Sequence, residues 1–214
     1  MKGIFFLILL HFYSINIYPQ KRDNFSVETN TNCSHYFMGG KTKNDFNYGF
    51  SLLLSRSINK IKISTGITYS TKYYYYNVHP QNSNDYLNKR NYRLQYINFP
   101  LTVNFINVDK KKLFYVNFLS GLVFNKLIKY NIISFFNNKS PLYEKDLEIE
   151  SKLGLTLRLG TNISKTVSNS IILNVIPFFD LKLISNNDDQ YLDYKSTPDD
   201  WGSIGISIGI EFIL

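Results

Sequence analysis

Large apolar residues alternate with small or polar ones through the last stretch of the chain. From Ile204 to Leu214 every second residue is Ile, Phe or Leu, whereas the residues between are mostly Gly, Ser or Glu. A period of two places these sets on opposite faces of a β-strand. In a soluble barrel the water-facing residues are usually long and charged. Gly and Ser on the polar face of this strand instead indicate that this face lines a narrow interior and that the apolar face is turned outward, toward lipid.

Seven earlier stretches have the same period and are also predicted to be strands. In the fourth, the apolar parity changes between Tyr96 and Ile97, and Pro100 cannot donate a ladder hydrogen bond, so we predict a bulge or kink there. The sixth is rich in Leu, but its strict alternation favours a strand over a helix. The eight predicted strands are Phe25–Phe37, Phe46–Ser55, Ile61–Tyr75, Tyr92–Phe105, Leu113–Ile128, Leu147–Ile163, Ser170–Ile184 and Trp201–Leu214.

The connections between these strands alternate in length. Those after the second, fourth and sixth strands are short, whereas the others are longer or more polar. This segregation predicts an all-β fold: an eight-stranded antiparallel up-and-down transmembrane β-barrel with short periplasmic turns and longer external loops, in the cell outer membrane. A soluble lipocalin-like barrel is the alternative, although it need not segregate its loops by end.

The N-terminal stretch differs from the rest of the chain. Met1–Gln20 has one Lys, an apolar run from Ile4 to Leu10 and a mixed end, which is typical of a secretory signal peptide. We therefore expect a signal peptide over residues 1–20 and one barrel domain over 21–214. No later stretch is apolar for the roughly 18 residues that a transmembrane helix needs.

Charge and composition exclude several classes of function. The 214-residue chain has a formal net charge of +8, but its Lys and Arg residues are scattered, so we expect no nucleic-acid partner. The single cysteine, Cys33, excludes an intramolecular disulfide framework.

His79 could join a Ser-His-acid site at the rim, as in a lipid-modifying enzyme, but no Ser or acid is tied to it by spacing. An exposed loop histidine is the simpler interpretation.

The last loop is rich in aspartate, and its carboxylates could collect a divalent cation. Their spacing matches no calcium loop and the segment lacks Gly, so a solvated acidic loop is favoured, and we predict no metal site and no cofactor. The residues concerned are Asp188, Asp189, Asp193, Asp199 and Asp200.

The fourth strand carries the Tyr-Ile-Asn-Phe-Pro-Leu stretch, Tyr96 to Leu101. It is similar to the Tyr-x-x-x-Pro-Leu signature of the PorT-like outer-membrane β-barrel family of the Bacteroidetes, which this chain resembles over most of its predicted mature length. The chain departs from a pattern common among outer-membrane proteins in ending with Leu214 rather than Phe. The resemblance implies an accessory role in protein secretion or envelope assembly.

Four charged residues have the parity of the barrel interior: Glu28, Lys62, Arg158 and Glu211. A lone ion is costly in a crowded, poorly solvated interior, so these charges must be paired. We predict a lumen network in which Arg158 bridges Glu211 or Glu28, with Lys62 nearby. It is expected to fill the lumen as a set of internal ion pairs rather than to act as a gate.

An eight-stranded barrel is just wide enough for side chains to fill its interior. We therefore expect a non-enzymatic, monomeric barrel whose partners are outer-membrane lipid and an envelope or secretion protein, acting through its external loops or through that protein. A narrow channel or small-solute carrier is the alternative from another functional class.

Overall fold

Ten β-strands account for almost all the residues that the computed structural model describes, which are 24–38, 42–44, 47–77, 87–105, 114–136, 140–144, 153–184 and 200–214. None of these residues belongs to a helix long and apolar enough to cross a membrane. The strands are β1 (Asn24–Met38), β2 (Thr42–Asn44), β3 (Asn47–Ile58), β4 (Ile61–Asn77), β5 (Leu87–Phe105), β6 (Phe114–Phe136), β7 (Leu142–Glu144), β8 (Leu153–Ser168), β9 (Ile171–Ile184) and β10 (Asp200–Ile213).

The eight longer strands form a closed barrel. The sheet runs β4-β3-β1-β10-β9-β8-β6-β5, and β5 pairs back onto β4. Every pair is antiparallel and consecutive long strands are neighbours, so the topology is up-and-down. The predicted eight-stranded antiparallel barrel is confirmed.

The barrel is polar inside and apolar outside. Inward side chains such as Asn174 (0% exposed) and Ser55 (1% exposed) are buried, whereas Ile204 and Ile208 on the outer surface are more than half exposed. The same inversion holds around the barrel, since Phe50, Phe105 and Phe118 are also exposed. Apolar side chains on an outer surface and polar ones within are typical of a barrel that spans a membrane.

The two ends of the barrel differ in their connections. At one end, here called the turn end, β3 connects to β4 through Asn59 and Lys60, and β8 connects to β9 through residues 169–170. Asn59 has a φ of 54°, a left-handed conformation that Asn tolerates well in the tight turn of a two-residue hairpin. At the other end, the loop end, β9 and β10 are joined by a longer stretch, residues 185–199.

The predicted irregularity in the fourth strand lies in its partner instead. From Tyr92 to Thr102 β5 keeps one parity, with Tyr92, Leu94, Asn98 and Thr102 all buried. The register of β5 and β6 shifts between Gln95 and Tyr96, which pair with Lys129 and Leu127. The extra residue is therefore in β6, and the apparent parity change arises because β5 turns large apolar side chains inward near the loop end.

One wall of the barrel rises above the other at the loop end. β4, β5 and β6 have 17, 19 and 23 residues, whereas β9 and β10 have 14 each. A transmembrane strand needs only about 9–11 residues. β2 pairs with β4, and β7 with β6, so the taller wall is widened by two short strands, neither of which was predicted from the sequence.

Candidate functional site

A cluster of charges lies inside the barrel near the turn end. The Lys62 Nζ atom lies 3.1 Å from Glu28 Oε2 and 2.7 Å from Glu211 Oε2. The three side chains are at most 8% exposed. We call Glu28, Lys62 and Glu211 the turn-end cluster; one ammonium group there bridges two carboxylates.

The strand register explains this arrangement. Glu28 of β1 lies directly opposite Glu211 of β10, and like charges in that position repel. Lys62 lies near the start of β4, which is separated from β1 by β3. Its long side chain reaches both carboxylates across that strand, so the Lys62 ammonium group offsets the repulsion between the two glutamates.

Neutral side chains complete the hydrogen bonding of both carboxylates. Ser26 Oγ donates to Glu211 Oε1 at 2.6 Å, and Asn174 Nδ2 donates to Glu211 Oε2 at 3.2 Å. Asn30 Nδ2 donates to Glu28 Oε1 at 3.0 Å. Because these neutral partners are also buried, the network fills the lumen at this level.

A second charged region lies in the loop-end half of the lumen. Arg158 Nε and Nη2 each donate to an Asp180 carboxylate oxygen at 2.7 Å, which is a two-point contact. The Arg158 guanidinium also lies 4.1 Å from the centre of the Phe178 ring, and Lys72 Nζ lies 4.2 Å from that of Tyr36. These side chains line a cavity of about 90 Å³, which has room for several waters.

The predicted network is therefore divided between two places. Glu28, Lys62 and Glu211 come together, but the prediction that Arg158 bridges one of the glutamates is wrong. Arg158 pairs with Asp180, which lies opposite Ser203 of β10, eight residues before Glu211. Eight residues span about 27 Å of strand, well beyond the reach of an arginine side chain.

Sequence reasoning missed Asp180 and its neighbour Lys182, although a signal for both was present. In the predicted strand Ser170–Ile184 the apolar residues Pro177, Phe179 and Leu181 share one parity, so Asp180 and Lys182 have the opposite, inward parity. Both line the loop-end cavity. Parity identifies such residues, but it does not identify their partners.

Other candidate residues do not form a site within the described structure. His79 and Asp188, Asp189, Asp193 and Asp199 lie outside the described residues, as does the predicted signal peptide, and the Asp200 side chain is likewise not described. His35 and Cys33 are exposed on the outer face. Among the residues that are described, no three His, Cys, Asp or Glu side chains could together hold a metal ion.

Comparisons with known proteins show the fold but no family. No protein-family model matches the chain, and no curated protein matches it. A crystal structure of a major outer membrane protein from Thermus thermophilus matches 90% of this chain and 99% of that chain, with a TM-score of 0.54 at 13% identity. Neisserial surface protein A matches 88% and 96%, with a TM-score of 0.44 at 12% identity. This protein thus has the fold of an outer-membrane β-barrel, and its apolar exterior is the lipid-facing surface of a transmembrane barrel.

Proposed function

We propose that this protein is a non-enzymatic barrel of the cell outer membrane that acts through its external loops or a protein partner, as an accessory to protein secretion or envelope assembly. The filled lumen carries this proposal. The turn-end cluster blocks the interior with buried, mutually bonded side chains, so a solute would have to displace them to pass. Because passage through the lumen is blocked, we place the activity of the protein at the loop end.

Two further observations support an activity at the loop end. The taller wall built by β2 and β4–β7 extends the sheet beyond the length needed to span a bilayer. The resemblance to PorT-like barrels supplies the accessory role in secretion or envelope assembly, with the turn end facing the periplasm. The barrel itself then serves as an anchor that holds this wall at the cell surface.

The closed lumen predicts that the purified barrel is silent in planar lipid bilayers. We expect conductance to stay at background because the turn-end cluster excludes water and ions. A variant in which Glu28, Lys62 and Glu211 are all replaced by Ala should conduct above background. This variant is the positive control, because its conductance would demonstrate that the assay detects an opened lumen. Discrete conductance steps from the unaltered protein would contradict the proposal and favour a narrow channel or small-solute carrier.

The proposed partner can be tested by site-specific photo-cross-linking in intact cells. Leu142 in the taller wall and Val167 at the turn end are matched in exposure, at 52% and 58%. We expect a photoreactive residue at position 142 to capture an envelope or secretion protein, identified by mass spectrometry, and one at position 167 to capture none. Capture only from position 167 would place the partner on the periplasmic side and contradict a loop-end activity.

A further inference from the structure

Three cations lie together on the outer face of β5 and β6, just above the apolar part of the wall. Arg93 of β5 and Lys126 of β6 are exposed, and Lys129 of β6 is half-buried. Lys129 pairs with Gln95, which shares the outward parity of Arg93, so all three side chains are on the outside. Together with Tyr69 and Tyr73 of β4 they form what we call the rim patch.

The strand register makes the rim patch compact. Three successive outward rows cross β4, β5 and β6: Tyr69, Ile97 and Lys126; Thr71, Gln95 and Lys129; and Tyr73, Arg93 and Asn131. Neighbouring strands lie about 4.8 Å apart, and successive residues on one face about 7 Å apart. The three cations can therefore contact one molecule at the same time.

The height of the rim patch corresponds to the edge of the lipid bilayer. Below it on β5, the outward residues from Ile97 to Phe105 are apolar. They span about 27 Å of strand, or about 21 Å of height at a tilt of about 40°, which approaches the apolar band of about 25 Å in a transmembrane barrel. Arg93 is four residues above Ile97, which is roughly 10 Å of height for a strand tilted by about 40°. Lys89, at eight residues, is about twice as high and lies outside this zone.

Aromatic contacts hold the cation of the uppermost row in place. The Arg93 guanidinium lies 5.5 Å from the centre of the Tyr73 ring, and the Tyr73 hydroxyl is 3.2 Å from that of Tyr48. Tyr and Arg combine an apolar body with a polar end, as suits the headgroup region. Elsewhere at the loop end the described outward residues include Leu153, Leu183 and Ile204, so this group of cations lies on one side of the barrel.

Charge complementarity favours an anionic occupant. The described carboxylate side chains of Glu28, Asp180 and Glu211 all point into the lumen, so none of these three neutralises the exposed cations Arg93 and Lys126. We propose that the rim patch binds the phosphate groups of a lipid headgroup in the leaflet at the loop end. This proposal rests on the proposed function, in which the loop end lies at the cell surface.

The test measures binding of lipid A, with its phosphates intact or removed, to the detergent-solubilised barrel by native mass spectrometry. We expect phosphorylated lipid A to bind preferentially, and Arg93→Gln, Lys126→Gln and Lys129→Gln each to weaken that binding about fivefold. Lys165→Gln is the matched control, because Lys165 is exposed at the turn end over the Phe114 ring. Lys89→Gln is a second control, because Lys89 lies above the headgroup zone. Both control variants should bind phosphorylated lipid A as tightly as the unaltered protein does.

Several outcomes would overturn the rim patch while leaving the membrane barrel intact. These are unchanged lipid A binding by a variant that combines Arg93→Gln, Lys126→Gln and Lys129→Gln, an equal loss of binding in the Lys165→Gln control, or equal binding of dephosphorylated lipid A. Displacement of lipid A by inorganic phosphate alone would show an anion site rather than a lipid site, and would also overturn the proposal. Heat-modifiable migration on a gel establishes that each variant is folded. A further test needs no variant: because salt screens exposed charges, lipid A binding by the unaltered protein should weaken at high salt.

Discussion

Replacing Lys62 by Met is expected to destabilise the barrel by about 3–5 kcal/mol, the cost of leaving buried charge without its partner. Glu28 and Glu211 lie opposite each other, and in this variant nothing would separate their charges. Met has nearly the same length as Lys, so the effect is electrostatic rather than a cavity effect. Urea unfolding of the barrel in lipid vesicles measures the change in unfolding free energy.

A neutral version of the cluster provides the matched control. Lys62→Met combined with Glu28→Gln and Glu211→Gln keeps the size of all three side chains and removes every charge. This triple variant should recover most of the lost stability, because replacing a buried ion network by neutral groups is far less costly than breaking it. A Lys62→Met barrel within about 1 kcal/mol of the unaltered protein would show that the bridge does not hold the lumen together.

Replacing Gly66 by Val is expected to cost about 1–3 kcal/mol, because the lumen has no room for a side chain there. Gly66 of β4 lies opposite Leu53 of β3. A Cβ atom at position 66 would meet the Leu52 carbonyl oxygen and would lie 2.8 Å from Leu53 Cα. These are backbone atoms, so relief requires the strands to move apart. The same unfolding measurement applies.

The neighbouring position separates this steric effect from strand propensity. Thr65 lies on the outer face of the same strand, so Thr65→Val also introduces Val into β4 without entering the lumen. We expect this variant to stay within about 0.5 kcal/mol of the unaltered protein. If the two Val variants have the same stability, the interior is less crowded than the contacts of Gly66 indicate.

Side-chain parity is the part of the fold that can be predicted from the sequence. The alternation of Ile with Gly and Ser in β10 predicted both its faces, and the same pattern predicted the barrel and the inward position of Glu28, Lys62, Arg158 and Glu211. Parity depends only on the pleat of a single strand, so a local pattern is sufficient. The ends of β5 and β6 were missed because residues above the membrane no longer need an apolar outer face.

Pairing inside the lumen could not be predicted in the same way. Which inward charge meets which depends on the register of neighbouring strands and on how far each is staggered around the barrel. Arg158 and Glu211 share a parity but lie at different heights, and the register instead places Arg158 opposite Asp180. The bulge in β6 adds to the difficulty, because one extra residue reverses the parity of everything beyond it.

The pairing of β1 with β10 affects the order in which the barrel can form. At this seam Ser26 contacts Glu211, 185 positions later in the chain, whereas β3 meets β4 through a two-residue turn. Closing so long a loop costs about 2–3 kcal/mol more than closing a ten-residue one. The hairpins between consecutive strands can therefore form early, whereas the β1–β10 pairing forms late. Until that pairing forms, the sheet has two unpaired edges that could pair with another chain. Both edges would therefore have to be shielded until β10 pairs with β1.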